Sequence, residues 1–330
     1  MKILCYCEAD LKTGFGHYSR IKNLQKILNK NFHYSIITKN IELAKKIFKN
    51  NKIIKLKNDI FSFLKNNGSK YSIVILDPPY YPNKKNNNFD IKVKNFYKNR
   101  KKTKIVIFTD ETKASPKYCD LLINDYPGSS KFGKFYKKFN SKIKLNLGIN
   151  SFLYPKCCFI KKKYKKKYDL FVAFGGSDSK NLLNKFFKEI INLSGKKVLL
   201  TNLETYKNIK KFKNKNLTIK KICDYKNYLR YLSGSRFYIS TPSNIMFEAY
   251  GLDMKGLVIP TQDRQHKMGR YFHNSGLVKC LNHYKSLNKN QIYKNFNDLK
   301  LANSRAKIIF SKKEAYKSHL KIIKDIENLI

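Results

Sequence analysis

The stretch that decides the architecture is KILCYCEADLKTGFGHYSR, residues 2–20, and it has an echo in DLFVAFGGSDSKN, residues 169–181. Each opens on a short apolar run, breaks at a pair of glycines and continues into a helical pattern. Strand, tight turn and helix start, in that order, make the first unit of a parallel α/β sheet. Glycines at the break let the backbone turn sharply and approach a ligand, and the exposed amides at the following helix start favour phosphate. Neither loop is a complete G-x-G-x-x-G fingerprint or a G-x-x-x-x-G-K-[ST] loop, which disfavours a nicotinamide enzyme or an ATPase. Taken singly, each pair is equally well a structural turn. Their recurrence at the same place in both halves argues for two ligand-binding edges.

Working outward from the first loop, YSIITK, KIIKLK, YSIVILD and KIVIFTD read as further buried strands, rich in Ile and Val. Helical patterns alternate with them: Ile21, Leu24, Ile27 and Leu28 share one face, and NIELAKKIFKNN follows. The pattern restarts after the polar stretch CCFIKKKYKKKY, where KKVLLTNL, NLTIKKIC, RFYIST and KGLVIP continue as strands and NLLNKFFKEIINL, YKNYLRYL and NIMFEAYGL as helices. The fold class expected is α/β, with two doubly wound Rossmann-like domains facing each other across a cleft. Residues 1–155 form the first domain, 156–310 the second, and 311–330 a closing helix.

The 330 residues, 42% of them hydrophobic, suffice for two packed cores. Lys and Arg number 70 against 22 Asp and Glu, a formal charge of +48. A charge of that size raises nucleic acid or an anionic surface as a partner. Most of these residues are lysines scattered among Asn, Ile and Tyr, however, whereas nucleic-acid readers favour arginine forks and grouped basic faces. Solvated surface is therefore the preferred reading, nucleic acid is not an expected partner, and only a weak lysine-mediated association with anionic surfaces is kept. The seven cysteines lack disulfide or C-x-x-C metal spacing and read as reduced thiols. With no signal peptide and no apolar run near the ~20 residues of a membrane span, a cytoplasmic protein is expected.

The chemistry-bearing candidates gather at strand ends. His17 follows the first glycine pair, Gly14 and Gly16; Asp77 and Asp110 end neighbouring candidate strands, with Tyr80 just beyond the first of them. An imidazole can take a proton from an attacking water, and either carboxylate can orient it or bind sugar hydroxyls. The plain alternative for each carboxylate is a helix cap or a turn. In the second half a small polar loop, 240–244, includes Ser243 and leads from Asn244 into a helix carrying Glu248 one turn on. Such a carboxylate can accept both hydroxyls of a ribose, or simply complement the helix dipole.

Together, GFGHYSR, FGGSDSKN and TPSNIMFEAYGL resemble the GT-B architecture of nucleotide-sugar enzymes. Closer still is the family of UDP-2,4-diacetamido-2,4,6-trideoxy-beta-L-altropyranose hydrolases of pseudaminic acid biosynthesis. That likeness runs in order through GFGH, LDPPY, FTDET, CDLLIND, LGINSFL, KYDLFVAFGGSDSKNL and the Glu248 helix, over most of residues 1 to about 280. The resemblance implies inverting hydrolysis of a UDP-activated acetamido-deoxy sugar, without metal or cofactor, in nonulosonic acid biosynthesis. It implies His17 as the catalytic histidine, with Tyr80 and Asp77 beside it; Gly175, Gly176, Ser177 and Asp178 as the diphosphate loop; and Asn244 and Glu248 on the nucleotide side. The family's Asp, polar residue, Tyr at the fourth strand end is DPPYY here. A glycosyltransferase, in which His17 deprotonates an acceptor hydroxyl, is the alternative, and a nucleic-acid-binding protein a third reading.

Overall fold

The structure is a computed structural model and describes residues 1–9, 16–28, 32–78, 88–115, 117–159, 165–176, 178–212, 214–222, 225–274, 276, 278–301 and 312–329. Gly14, Tyr80 and Ser177 lie outside the described residues. The chain divides into two compact units, Met1–Leu153 with Lys313–Ile330, and Tyr154–Lys312.

Unit 1 is built on β1 (Lys2–Cys7), β2 (His33–Thr38), β3 (Lys52–Lys55), β4 (Ile73–Asp77), β5 (Lys104–Thr109), β6 (Leu121–Asn124) and β7 (Lys144–Leu147). The sheet order is β3-β2-β1-β4-β5-β6-β7, with every neighbouring pair parallel. Alternate residues of each strand enter different cores, as the two-residue period of a strand demands. Ile3, Cys5, Cys7, Ile73, Ile75, Val106 and Phe108 pack on one face with Ile21 and Leu24 of α1 (Gly16–Ile27) and Ala44 of α2 (Ile41–Ile47). Leu4, Tyr6, Val74, Leu76, Ile105 and Ile107 pack on the other with Ile60 and Leu64 of α3 (Ile60–Asn67), Val93 of α4 (Asn88–Asn99) and Tyr136 of α5 (Gly133–Phe139). A sheet clothed on both faces in this way is doubly wound. Burial pushes the Cys5 and Cys7 thiols up, which leaves them unreactive packing groups.

Unit 2 has β8 (Tyr168–Ala173), β9 (Lys197–Thr201), β10 (Leu217–Lys221), β11 (Ser235–Ser240), β12 (Lys255–Val258) and β13 (Val278–Cys280), in the parallel order β10-β9-β8-β11-β12-β13. Its helices are α6 (Leu182–Lys185), α7 (Phe187–Asn192), α8 (Leu203–Ile209), α9 (Tyr225–Ser233), α10 (Asn244–Gly251), α11 (Asp263–His273) and α12 (Lys289–Leu301). Both units thus share the doubly wound α/β plan expected from the two glycine-marked repeats.

Helix α13 (Lys312–Glu327) supplies the last layer of unit 1, from the far end of the chain. Ala315, His319, Ile322 and Ile326 fall on its buried face at helical spacing. Ile322 and Ile326 join the core around Ile3 and Ile73. His319 Nε2 lies 2.9 Å from the carbonyl oxygen of Phe152, and burial lowers the affinity of that imidazole for a second proton. Lys321 Nζ donates to the carbonyl oxygen of Leu145 at 2.6 Å, and Asn146 Nδ2 to Asp325 Oδ2 at 3.0 Å. Charged groups of α13 therefore cover the edge strand β7, where an open ladder would invite pairing with another chain.

Truncating Ile322 to Ala is expected to lower the stability of unit 1 by ~2–5 kcal/mol, the usual range for opening a cavity of that size in a core. Native-state hydrogen exchange checks this. Amides of β1 and β4 exchange faster in the variant, while those of β8 and β11 are unchanged.

Candidate active site

In a doubly wound sheet, ligands bind beyond the carboxyl ends of the strands, where the strand order reverses. In unit 1 that reversal falls between β1 and β4, which are direct neighbours, Cys7 lying opposite Asp77. His17 sits in the first turn of α1, the helix that follows β1, and Asp77 is the last residue of β4. Gly16 is the first residue of that helix. His17 Nδ1 lies 2.8 Å from Asp77 Oδ1. The imidazole is 16% exposed and the carboxylate fully buried.

The same carboxylate oxygen takes a second partner. Arg20, one helical turn after His17, donates from one guanidinium nitrogen to Asp77 Oδ1 at 2.7 Å, while its other terminal nitrogen lies 3.1 Å from Asp125 Oδ2. The guanidinium carbon stands 5.8 Å from the Phe108 ring centroid. Burial works against the arginine's charge, but Asp125, Asp77 and Asp110 more than offset it, so the group is held even more firmly protonated than usual. Asp110 directly follows β5 and Asp125 directly follows β6. Adjacent strands β4, β5 and β6 therefore each deliver a carboxylate toward one buried cation. Glu8, which follows β1, is spent elsewhere: it accepts from Thr38 Oγ1 at 2.9 Å and from the Lys39 amide at 3.0 Å, which ties off the end of β2.

At neutral pH an ionised carboxylate only accepts hydrogen bonds, so Nδ1 of His17 is the donor in its contact with Asp77. The lone pair of the imidazole then resides on Nε2. No described residue hydrogen-bonds Nε2. An imidazole oriented through Nδ1, with no described residue on its second nitrogen, can accept a proton there in its neutral form.

In unit 2 the order reverses between β8 and β11, paired at Ala173 and Ser240. The glycine loop leaves β8 and the Ser243 loop leaves β11, so the two predicted nucleotide loops spring from adjacent strands at one edge. Gly175 has φ +77°, a left-handed conformation that side chains resist, and open space lies where a Cβ would stand. Asp178 accepts from the amides of Leu182 and Leu183 at 2.8 and 2.9 Å. Burial pushes its carboxyl up to about 6, although the two amides pull the other way. Asp178 thus serves the turn, capping α6. Ser243 Oγ donates to the carbonyl oxygen of Thr241 at 3.2 Å, and Asn244 opens α10.

Glu248 lies on α10, 2% exposed. It accepts from the Tyr225 hydroxyl at 2.7 Å and, on its other oxygen, from the Tyr228 hydroxyl. The two phenol rings belong to consecutive turns of α9 and stack at 5.7 Å. Burial pushes the Glu248 carboxyl up to about 7, with the two phenols opposing that rise. The two hydroxyls, one on each carboxylate oxygen, present the hydrogen-bonding pattern that a vicinal diol would offer.

The structure brings His17 and Asp77 together and places Asp110 within the same electrostatic group. Arg20 and Asp125 were not singled out from the sequence. A signal was present in both: Arg20 is three residues after His17, on the same helical face, and Asp125 closes LLIND as Asp77 closes IVILD. Tyr225 and Tyr228 were likewise missed, although their spacing also places them on one face.

No family model matches the chain. An uncharacterised protein of Methanocaldococcus jannaschii is 28% identical over an alignment of 290 positions, which covers 81% of this chain and 57% of that protein. The chain thus spans little more than half the length of this curated relative. Among solved structures, CalG4, the calicheamicin glycosyltransferase, has a TM-score of 0.64 at 11% identity, over 99% of this chain and 98% of its own. UDP-GlcNAc 2-epimerase of M. jannaschii, solved with UDP-GlcNAc and UDP, has a TM-score of 0.61 at 12% identity, over 99% of this chain and all of its own. Identities this low establish the fold, which is α/β and GT-B-like.

Glu248 carries a measurable cost. The folded protein keeps its proton up to about pH 7, whereas the free side chain loses it near 4.5, so the stability of the neutral form is complete below 4.5 and is lost as pH climbs to about 7. Glu248→Gln should therefore stabilise unit 2 at pH 8 by up to about 3 kcal/mol, with no gain at pH 4. Urea unfolding of the two proteins at both pH values measures the difference.

Proposed function

We propose that the protein hydrolyses a UDP-activated acetamido-deoxy sugar with inversion at the anomeric carbon, as a step of nonulosonic acid biosynthesis. The observation that carries this reading is the His17 imidazole, oriented through Nδ1 by Asp77 and unengaged at Nε2 among the described residues, at the switch point of a nucleotide-sugar fold. In the reaction, water attacks the anomeric carbon on the face opposite UDP and passes its proton to Nε2. The new carbon–oxygen bond forms as the bond to the diphosphate breaks, and its electron pair departs with UDP. Asp77 stabilises the imidazolium so formed. Amides of the Gly175–Gly176 turn receive the diphosphate, and Glu248 receives the ribose hydroxyls in place of the two phenols. The ordered resemblance to the hydrolase family and the UDP-bound epimerase of the same fold support this assignment.

A second reading is transfer of the sugar to an acceptor hydroxyl, which the shared fold of CalG4 favours. The base would be the same, and only the nucleophile differs. Among the described residues no helix is long and apolar enough to cross a membrane.

Product analysis with a small panel of UDP-linked acetamido- and diacetamido-sugars separates the two. Hydrolysis yields UDP and free sugar with no acceptor present. His17→Ala is expected to lower turnover by roughly 10²–10⁴-fold, the usual contribution of a positioned base, and to leave UDP affinity within about twofold. Unchanged turnover in that variant refutes the assignment of His17.

A further inference from the structure

We propose that Arg20 is a positioning residue that determines which nitrogen of His17 carries the proton. The inference rests on the reading of His17 as the base, and concerns a residue that does not itself reach the reacting atoms.

Three observations lead there. Arg20 NH1 and His17 Nδ1 meet at the same atom, Asp77 Oδ1, at 2.7 and 2.8 Å. The arginine is 6% exposed and anchored from the other side by Asp125 at 3.1 Å, so its fork cannot swing away. The remaining oxygen of Asp77, Oδ2, is buried and has no hydrogen-bond partner among the described residues. A carboxylate with no access to water and one orphaned oxygen is costly to keep ionised, and the adjacent guanidinium is the compensating charge.

Consider the site without that cation. The buried carboxylates Asp77 and Asp125, at the ends of β4 and β6, would lose the cation they share, and Asp110 would add to the repulsion. Taking up a proton from solvent relieves this. A protonated Asp77 can then donate its hydrogen to Nδ1 of His17, which becomes an acceptor. The proton of the neutral imidazole must consequently sit on Nε2, the nitrogen required to accept from water. Every side chain of the pair would remain in place while the base was lost. A guanidinium cannot be deprotonated in a protein and cannot accept a hydrogen bond. Arginine at this position therefore excludes the inverted arrangement, which an amide or hydroxyl would permit.

A simple staple between strand ends would also need Arg20, so the test reads the tautomer directly. Long-range proton–nitrogen correlation on the unliganded, ¹⁵N-histidine-labelled protein reports which ring nitrogen of His17 is protonated. The wild type is expected to show Nδ1–H. Arg20→Met should show Nε2–H, with kcat lower by roughly 10²–10⁴-fold and KM within about threefold. Arg20→Lys keeps a cation against Asp77 and should restore Nδ1–H, with kcat within about tenfold of the wild type. Arg20→Gln, which retains a donor but no charge, is the second variant should the methionine protein not fold, and should behave as Arg20→Met. Nδ1–H persisting in a folded, uncharged variant overturns the proposal, as does undiminished kcat. Failure of the catalytic reading looks different: His17→Ala would turn over normally, while the tautomer measurements, made without substrate, would stand.

Discussion

Every strand described in the two sheets runs parallel to its neighbours, and that constraint organises all the rest. A parallel strand cannot return by a hairpin, so each connection crosses a face of the sheet, through a helix everywhere among the described residues except between β5 and β6. All carboxyl ends of a sheet then share one edge, and loops there are relieved of core packing. Where the order reverses, two neighbouring strands send their chains in opposite directions and leave a crevice between them. His17 and Asp77 are 60 residues apart in the chain and yet in contact, because β1 and β4 flank that reversal. In unit 2 the glycine loop and the Ser243 loop meet the same condition at β8 and β11.

Burying acids at such an edge is expensive, and the two units meet the cost differently. Unit 1 sets a guanidinium among Asp77, Asp110 and Asp125, so that charge compensates charge. Unit 2 gives Glu248 two phenol hydroxyls and no cation, and its carboxyl is left near neutrality in its proton affinity. The first solution sets a fixed positive charge against the buried carboxylates. The second leaves hydroxyl-shaped partners that a sugar diol can replace without a change in the number of hydrogen bonds. Phenols that are themselves pushed up by burial, as Tyr228 is, remain donors throughout the physiological range.

Much of this plan was legible in the sequence because buried parallel strands are apolar on both faces and stand out as Ile- and Val-rich runs. Strands β1 to β5 and β8 to β12 show in that way. Strands β6, β7 and β13 escaped, for physical reasons. Strand β6, LLIN, lacks valine, β13 is only three residues long, and β7 alternates Leu145 and Leu147 with Lys144 and Asn146, whose side chains face α13 rather than a core. The amphipathic period of the last segment identified a helix but not its partner; only packing assigns α13 to unit 1. At the site, residue types were readable and pairings were not. His17 and Asp77 each stood out beside a strand end, whereas Arg20 looked like one more basic residue in a chain of charge +48. Its importance comes from burial, which composition cannot report.

Asp178 has a part in its turn that the glycine motif alone did not announce. Both of its carboxylate oxygens are engaged by the amides of Leu182 and Leu183, and its own backbone is left-handed at φ +43°. A second left-handed residue, Asn181 at φ +52°, follows three positions later. The side chain is consumed in holding that winding. The acidic residue thus maintains a backbone shape that a glycine-rich turn alone would leave loose.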